Sequence, residues 1–539
     1  MNKFFTLLSI TFLSSCVSVQ KYNAHIDEKI DTDKLRKDVD FTKEKLLRKH
    51  VDIDLYYSKE TIANRLDSFK NTIQQPMKPN DFSRELSKVV SSFGHGHTVV
   101  TSFSRKITKE TKKKYKDSKG PMNLLEFKSL DNHLYLNKNN SKDSTLVLQA
   151  EILSINGIKF QDYYNLYNNY RKGDGYITTL SKYMYGNSYL RFVSNEIGVQ
   201  DSIFISFQKN DSVFTKIVKR EYKEKKDKSF KKNSLDTIQK KSNEEQKFAK
   251  LSKEQKLKRK QLLDHKKKVK KYFAYSSFSK EYQREISFPD KNDSTTVVLK
   301  IKTFSLGNSK KAYPFIFDSI NKLNVKNLIL DVRNNGGGYV RDANYLYSFL
   351  TTRNQRQAVM TDKMRVNSKF GLMKNYFQSF GVIGNTLGLP LAIYKYSESI
   401  IKTKKEKDGY YYKVTGKKDF LLQPERYKGN LYVLTNGMSY SATSILSAAL
   451  QNEGKAIFVG EETGGDYNGT VAGSFNDFKL KNSKLKIYYG MIDFKPNTSR
   501  DLKGRGIIPN VPIEITFDDV VKRKDTQLDW ILSDIKNKH

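Results

Sequence analysis

The sequence has little cysteine and little tryptophan, with one of each among its 539 residues. The single cysteine, Cys16, excludes a disulfide bond within the chain. After the first residues, no stretch is apolar enough to form a transmembrane helix. Zinc-knuckle, helix-turn-helix and RNA-binding signatures are also missing, although 97 Lys and Arg stand against 58 Asp and Glu, a net charge of +39. We therefore predict no nucleic-acid partner, and the excess of positive charge would also suit an anionic membrane surface.

The first residues predict the compartment. A short basic start precedes a mostly apolar stretch at 4–13, which is too short to span a bilayer and is typical of a signal peptide. Residues 13–16, Leu-Ser-Ser-Cys, resemble a bacterial lipobox, in which the cysteine is lipidated and becomes the new N-terminus. The alternative is an ordinary secretory signal with an incidental cysteine. We expect a lipoprotein signal peptide at 1–16, a lipid on Cys16 and a place in the bacterial cell envelope, with Val17 favouring the outer membrane and its periplasmic side.

Two domains are expected in the first part of the chain. Apolar residues recur every three or four positions between about 41 and 93, which predicts helices within a mainly helical domain at 17–120. The polar residues at 17–40 are interpreted as a tether. Short strands separated by Asn, Asp and Gly then predict a β domain at 121–218, with one strand at 145–148.

A basic insert separates these domains from an α/β core. Residues 219–271 carry 22 Lys and Arg against 8 Asp and Glu, without Gly or Pro. Such a composition is typical of a solvated helix or a disordered segment, and binding of a membrane surface or a partner is the alternative. We place the insert at 219–275. From 276 to 539, strands and helices alternate, and the continuous apolar strand at 327–332 is typical of a sheet buried on both faces, so a βαβ core is expected.

Three glycines follow that strand, in the sequence Asp-Val-Arg-Asn-Asn-Gly-Gly-Gly at 331–338. Glycines let the backbone bend sharply and bring amide N–H groups close to a ligand. Such amides can form half of an oxyanion hole or cradle a phosphate, although the pattern is neither GxGxxG nor a Walker A loop. A tight strand-to-helix turn without a ligand is the alternative.

Ser441 lies between a predicted strand at 431–434 and a predicted helix that begins at this serine. The apolar residues after it recur on one helical face. At a helix N-terminus, free N–H groups and the helix dipole stabilise negative charge. Two interpretations are open: Ser441 caps the helix, or it is a nucleophile whose neighbouring amide, at Ala442, contributes to an oxyanion hole.

Four motifs in this order resemble those of the S41 serine peptidases, the tail-specific or C-terminal-processing family. They are the glycine motif at 331–338, Ser-Tyr-Ser-Ala-Thr-Ser-Ile-Leu at 439–446, Val-Gly-Glu-Glu-Thr-Gly-Gly at 459–465 and Gly-Arg-Gly-Ile-Ile-Pro-Asn-Val-Pro-Ile at 504–513. The resemblance extends over about 290–515. It implies an α/β fold with a ClpP/crotonase-like catalytic core, here at 276–539, protein or peptide substrates, and no metal or other cofactor.

The same resemblance implies roles for particular residues. Ser441 would be the nucleophile, and the amides of Ala442 and of Gly336 or Gly337 would form the oxyanion hole. Many members carry a PDZ domain, and residues 150–157, Ala-Glu-Ile-Leu-Ser-Ile-Asn-Gly, resemble the strand and turn of one, which implies that the β domain is PDZ-like. Any other β-hairpin would fit this segment as well.

The general base is harder to assign. Processing peptidases of the family use a lysine in the turn that follows Gly465, where this chain has Asp466. A branch that resembles the tricorn core peptidase uses a histidine within a motif similar to Asp-Gly-His-Thr, and residues 95–98 here are His-Gly-His-Thr. His97 is therefore the expected general base, with an ordinary pKa of about 6.5 that suits neutral pH. A hydrogen-bonded core histidine and a metal site with His95 are the alternatives.

A third group should orient the histidine, and Asp493, Asp501 and Glu462 are the candidates. The predicted function is that of a lipid-anchored serine endopeptidase whose oligomeric state is left open. One alternative is a catalytically inactive S41-fold module that binds peptides or hydrophobic ligands at the envelope. The other is a nucleic-acid or surface-binding protein driven by charge.

Overall fold

A computed structural model describes residues 18–209, 212–223, 253–277, 280–353, 358–372, 381–414 and 422–538. The predicted signal peptide at 1–16 and the predicted lipid on Cys16 lie outside the described residues. Within the described ranges, no helix is both long enough and apolar enough to cross a membrane.

The N-terminal region is helical and packs against the rest of the protein. Its elements are α1 (Val19–Asp27), α2 (Thr32–Lys49), α3 (Lys59–Thr72), α4 (Pro79–Ser91), β1 (Val99–Val100) and α5 (Lys109–Lys114). The helices predicted between 41 and 93 are confirmed. The tether predicted at 17–40 is wrong, because α1 and α2 occupy it and the apolar side chains of Leu35 and Val39 are buried in the main hydrophobic core.

A separate β domain follows, with its own hydrophobic core. Its strands are β2 (Ser118–Lys119), β3 (Leu125–Leu130), β4 (His133–Asn139), β5 (Glu151–Ile155), β6 (Ile158–Lys159), β7 (Ser202–Lys209), β8 (Ser212–Lys219) and β9 (Glu221–Tyr222). The main sheet has the order β3-β4-β5-β7-β8, with β6 paired to β5. Helices α6 (Phe160–Tyr167) and α7 (Tyr185–Ile197) pack on it.

Two expectations for this domain had different outcomes. The tight turn predicted at Asn156-Gly157 is confirmed: both residues have positive φ and connect the antiparallel strands β5 and β6. The strand predicted at 145–148 is wrong, because the Asp143 carboxylate accepts hydrogen bonds from the amide and hydroxyl of Thr145 and stabilises a turn instead. The PDZ assignment stays a prediction.

The α/β core is built on a six-stranded sheet. Its strands are β12 (Arg284–Ser287), β13 (Thr296–Ile301), β14 (Asn327–Asp331), β18 (Asn430–Thr435), β19 (Ala456–Gly460) and β22 (Val511–Pro512), in that spatial order. All neighbours are parallel except β12 and β13. Helices α9 (Ser309–Lys322), α10 (Val340–Leu350) and α12 (Ala442–Glu453) cover one face, and α14 (Thr526–Asn537) covers the other. The predicted α/β fold is thus confirmed, with apolar strands because both faces are buried.

A second six-stranded sheet connects the N-terminal region to this core. Its strands are β1, β15 (Lys363–Val366), β16 (Thr403–Glu406), β17 (Gly409–Lys413), β20 (Thr470–Lys479) and β21 (Lys486–Phe494). Strand β1 pairs antiparallel with β21, with Val99 opposite Tyr488. This pairing holds the segment that contains His97 against the C-terminal half of the chain.

The basic insert predicted at 219–275 is described at 219–223, which include the end of β8 and all of β9, and at 253–275. Residues Lys253–Tyr272 form helix α8, and almost all of its described side chains are exposed, which confirms the solvated helix for this part. The remaining elements are β10 (Tyr275–Ser276), β11 (Glu281–Tyr282), α11 (Gly381–Lys402) and α13 (Phe517–Lys522).

Candidate active site

The glycine motif and the serine motif lie side by side. They follow β14 and β18, which are adjacent parallel strands in register, so both loops leave the same edge of the sheet. The Asn334 amide donates to Oδ1 of Asn436 over 2.9 Å, and the Tyr440 amide donates to the Asn335 carbonyl over 3.1 Å. The Ser439 hydroxyl donates to the Val332 carbonyl over 2.9 Å. The two loops therefore form one hydrogen-bonded unit.

Ser441 has a strained backbone. Its φ of 60° and ψ of −122° are those of the first central residue of a type II′ turn, and the turn is closed by a 3.2 Å hydrogen bond from the Thr443 amide to the Tyr440 carbonyl. Glycine normally occupies this position, so serine there stores about 1–3 kcal/mol of strain, a property typical of functional residues. The Ser441 side chain makes no capping hydrogen bond to α12. The interpretation of Ser441 as a simple helix cap is therefore not supported.

The glycine loop approaches Ser441 very closely. At Gly337, which has a φ of 96°, an added Cβ would lie 2.8 Å from Ser441 Cβ and 2.9 Å from the Ala442 amide nitrogen. The Gly337 amide itself donates to Oδ1 of Asn335 over 2.9 Å. In the described part of the chain, the amides of Gly336 and Ala442 have no hydrogen-bond partner. Between the two predicted glycines, Gly336 is therefore the one whose amide is available to a ligand beside Ala442.

The structure places His97 beside the residue that precedes the serine. The His97 ring stacks on the Tyr440 ring with 4.6 Å between centroids, and its Nδ1 lies 2.8 Å from the Tyr440 hydroxyl and 3.0 Å from the Thr470 hydroxyl. Among the hydrogen bonds of the described residues, none joins His97 to the Ser441 hydroxyl. Catalytic hydrogen bonds in unliganded enzymes are often long and shorten when substrate binds.

Asp174 is a site residue that the sequence analysis did not single out. Its Oδ1 accepts hydrogen bonds of 3.0 Å from the Tyr440 hydroxyl and from the Gly96 amide. Because the Tyr440 hydroxyl donates to Asp174, it must accept from His97, so Nδ1 of His97 carries the hydrogen and Nε2 keeps its lone pair. The available signal was the pair of glycines around Asp174.

Those two glycines allow a very tight contact. An added Cβ at Gly173 would lie 2.2 Å from the Gly464 carbonyl oxygen, and one at Gly175 would lie 2.3 Å from Gly504 Cα. Residues 173–175 of the β domain therefore touch two of the motifs that the resemblance identified. This contact brings Asp174 into the site.

The three carboxylates proposed from the sequence to orient the histidine lie elsewhere. Glu462 forms two 2.9 Å hydrogen bonds with the Arg505 guanidinium. Asp501 accepts from the Lys503 amide over 3.1 Å. Asp493 lies against Lys495 and Asp52. Within the described residues, none of the three forms a hydrogen bond with His97.

Asp466, at the position where the resemblance led us to look for a lysine, is held by hydrogen bonds within the fold. It accepts a 2.8 Å hydrogen bond from the Tyr56 hydroxyl and a 2.9 Å bond from the Gly504 amide, and burial raises its pKa to about 6. His95 is buried with Nε2 3.1 Å from the Ile53 carbonyl. Among the residues the structure describes, no group of His, Cys, Asp or Glu could hold a metal ion, which leaves the metal alternative for His95 and His97 without support.

Burial and charge set the protonation of the site. Burial, the nearby positive charge of Arg171 and then His95 lower the pKa of His97 to about 3. Burial raises the pKa of Asp174 to about 7, against the hydrogen bonds that it accepts. Burial and the Asp174 charge raise the pKa of Tyr440 well above its ordinary value. At neutral pH His97 is therefore neutral, as a general base must be, and its lowered pKa makes it a weak base.

Comparisons with known proteins concern the fold and the family. Residues 295–513 match the family model of peptidase family S41. The structure is similar to mature CPAF complexed with lactacystin, with a TM-score of 0.54 and 14% identity, over 94% of this chain and 98% of that chain. It is also similar to a CPAF mutant, with a TM-score of 0.51 and 14% identity, over 91% of this chain and 95% of that chain. Among curated proteins, none matches the sequence. At this identity the structural similarity shows the fold alone.

Proposed function

We propose that this chain, a hydrolase whose residues 295–513 form a peptidase family S41 domain, is a serine endopeptidase that acts through an acyl-enzyme on Ser441. The observation that carries the proposal is the strained backbone of Ser441 at the N-terminus of α12, together with His97, which contacts the hydroxyl of the preceding residue, Tyr440. A serine whose only role was to cap the helix would need neither the strain nor the histidine.

The proposed reaction follows from the positions of the donors and acceptors. Nε2 of His97 takes the proton of the Ser441 hydroxyl as Oγ attacks the peptide carbonyl carbon. The carbonyl oxygen becomes an oxyanion and accepts hydrogen bonds from the amides of Ala442 and Gly336. The protonated imidazole then gives its proton to the leaving amine as the peptide C–N bond breaks. Water, activated by the same nitrogen, hydrolyses the acyl-enzyme and restores Ser441.

Asp174 supports this cycle through Tyr440. The Asp174 carboxylate accepts from the Tyr440 hydroxyl, so that the hydroxyl oxygen faces Nδ1 of His97, which keeps the lone pair on Nε2. Its negative charge also stabilises the imidazolium that forms during acylation. Asp174 and Tyr440 are thus positioning residues, whereas Ser441 and His97 are the catalytic ones.

The proposed location is the cell envelope. It rests on the sequence pattern at 4–16, whose cysteine would carry the lipid. A lipid anchor on Cys16 would place the site beside the membrane and restrict its substrates to envelope proteins and peptides. Labelling cells with a radioactive fatty acid would show incorporation into the wild-type chain and none into Cys16→Ser.

The test of the function is cleavage of casein and of unfolded peptides by the chain without residues 1–16. We expect the wild type to cleave and Ser441→Ala and His97→Ala to lose about 10⁴-fold or more in kcat/KM. Ser447→Ala, at a buried serine in helix α12, is the control and should keep full activity. A serine-directed phosphonate should label Ser441 and protect it from further reaction.

Other outcomes would change the assignment. If only Ser441→Ala were inactive, the general base would lie elsewhere than His97. If the wild type and both variants were equally inert and the phosphonate did not react, the chain would be an inactive S41-fold module that binds peptides.

A further inference from the structure

A basic cleft lies between the N-terminal region and the β domain. Its volume is about 520 Å³, within the size range of small-ligand sites. Helix α4 and the segment after β1 form one wall, and helices α6 and α7 form the other. The basic residues that line it are Lys78, Arg84, Arg105, Arg171, Lys172 and Arg191. Its floor includes Gly96, which directly precedes His97.

Part of this positive charge is already neutralised within the protein. Arg84 forms a 2.9 Å ion pair with Asp81, and Arg105 forms a 2.7 Å ion pair with Asp27. Glu196, the remaining acid of the lining, acts on Arg105. These five residues need no ligand.

The other basic residues have no counter-charge. In the described part of the chain, Lys78, Arg171, Lys172 and Arg191 form neither an ion pair nor a side-chain hydrogen bond, and Arg171 and Lys172 are half-buried. Keeping an unpaired guanidinium half-buried is unfavourable unless an anion joins it. Lys78 and Arg191 are exposed and add to the same positive charge, so it is the half-buried Arg171 and Lys172 that point to an anionic ligand.

The cleft is also coupled to the catalytic histidine. The charge of Arg171 acts on both His97 and Tyr440. Gly96 connects the two places directly, because its amide donates to Asp174 while its backbone lines the cleft. A ligand that contacts Gly96 in the cleft would thus contact the residue next to His97, the proposed base.

On the basis of the proposed peptidase function, we propose that the basic cleft is a substrate subsite that binds carboxylate groups of the peptide and makes acidic peptides the preferred substrates. Arg171 and Arg191 offer planar donor pairs that match a carboxylate. A bound carboxylate also cancels the positive charge beside His97, and this strengthens the base. The acidic substrate would in this way complete the active site, so its charge should raise kcat as well as lower KM.

The carboxylate could come from Asp and Glu side chains or from the C-terminus of the peptide. The probe is a labelled peptide rich in Glu, compared with its Gln counterpart, each with a free or an amidated C-terminus. Binding is measured by fluorescence anisotropy on Ser441→Ala, so that the readout does not depend on turnover. We expect the Glu peptide to bind at least about tenfold more tightly than the Gln peptide. If amidation of the C-terminus weakens binding by this factor and the change from Glu to Gln does not, the bound carboxylate is that of the C-terminus.

The variants separate the cleft from a general effect of the basic chain. Arg171→Gln and Arg191→Gln should each remove most of the preference for carboxylate, whereas Lys267→Gln on the exposed helix α8 should leave it unchanged. In the active enzyme, Arg171→Gln should also abolish the advantage of the Glu peptide in kcat, an effect that a purely structural change would not produce.

Two results would overturn the subsite. Equal binding of all four peptides would do so, as would a charge preference that survives both arginine substitutions. A DNA oligonucleotide that binds more tightly than the Glu peptide and loses affinity in the same variants would assign the cleft to nucleic acid instead. If the charge preference holds but no peptide is cleaved, the subsite stands and the peptidase function falls.

Discussion

The two halves of the candidate site are built in different ways. The nucleophile half consists of two loops after adjacent strands of one sheet, joined by short hydrogen bonds around Ser441. The base half combines His97 from the N-terminal region, Asp174 from the β domain and Thr470 from the second sheet. One half is completed within the core, whereas the other exists only where three regions meet.

The two halves also differ in what their surroundings determine. The nucleophile half is tightly packed at Gly337, and hydrogen bonds join its two loops. The base half responds to its surroundings, because burial and the Arg171 charge both weaken His97. We infer that the core supplies a permanent nucleophile and that contacts between the regions decide how strong its base is.

Apart from the loss of Ser441 or His97 itself, the largest effect is expected from crowding the nucleophile half. Gly337→Ala would place a methyl group against Ser441 and Ala442 at a positive φ, so the loops must separate and the oxyanion hole is lost. We expect a decrease in kcat/KM of about 10³-fold. Gly336→Ala is the matched control, since no atom lies within 4 Å of its added Cβ, and it should fold normally with a smaller loss of activity. Equal effects of the two substitutions would contradict the assigned close contact.

The base half should show a pH-dependent stability. Burial raises the folded-state pKa of Asp174 to about 7, so the stability that this group contributes is complete below about pH 4 and is lost as the pH rises through 7. Asp174→Asn does not titrate. Between pH 4 and pH 8 its free energy of unfolding should therefore improve relative to wild type by roughly 4 kcal/mol. Urea denaturation at both pH values measures this, with Asp466 and Asp493 titrating alike in both proteins. A constant difference would show that Asp174 is ionised throughout.

The pH dependence of activity should follow the ionisation of Asp174. Ionised Asp174 orients Tyr440 and stabilises the imidazolium, so kcat/KM of the wild type should rise with pH up to about 7. Asp174→Asn should lower kcat/KM by about 10²-fold at pH 8, since the effect passes through a hydroxyl rather than acting on His97 directly. The acidic limb centred near pH 7 should vanish in this variant. Its persistence would assign the limb to another group.

The smallest effect concerns the strain at Ser441. Glycine adopts the turn conformation of this residue without penalty, so Ser441→Gly should raise the free energy of unfolding by about 1 kcal/mol while abolishing cleavage. Ser441→Ala keeps the strained backbone and should not be stabilised in this way. Thermal unfolding of the three proteins compares them. A gain shared by both variants would mean that the hydroxyl, not the backbone, is unfavourable.

Much of the core could be predicted because its signals are local. The strand at 327–332 and the helix after Ser441 are apolar patterns within a few turns of chain, and both motifs sit where these elements begin or end. The tether prediction at 17–40 failed because the ordered helices in this segment consist mostly of polar residues. Helix α1 and the start of α2 appeared as a tether because only a few of their side chains, such as Leu35 and Val39, are buried.

Only part of the base half could be predicted from the sequence. His97 could be assigned through a resemblance, but the group that orients it was sought among carboxylates near the closing motif. Asp174 gave no such signal, because its role depends on a loop of the β domain that reaches over the core. The unpaired charges of the basic cleft were equally hidden, since their neighbours come from distant parts of the chain.

The sequence by itself determined the α/β core, the strand-to-helix position of Ser441 and the glycine loop beside it, because hydrophobic periodicity and backbone freedom act over short stretches of chain. The tertiary structure decided which carboxylate lies beside His97 and Tyr440, how far the pKa of that histidine is lowered, and that a basic cleft opens near it. These properties depend on burial and on charges brought together from separate regions, and neither exists until the chain has folded.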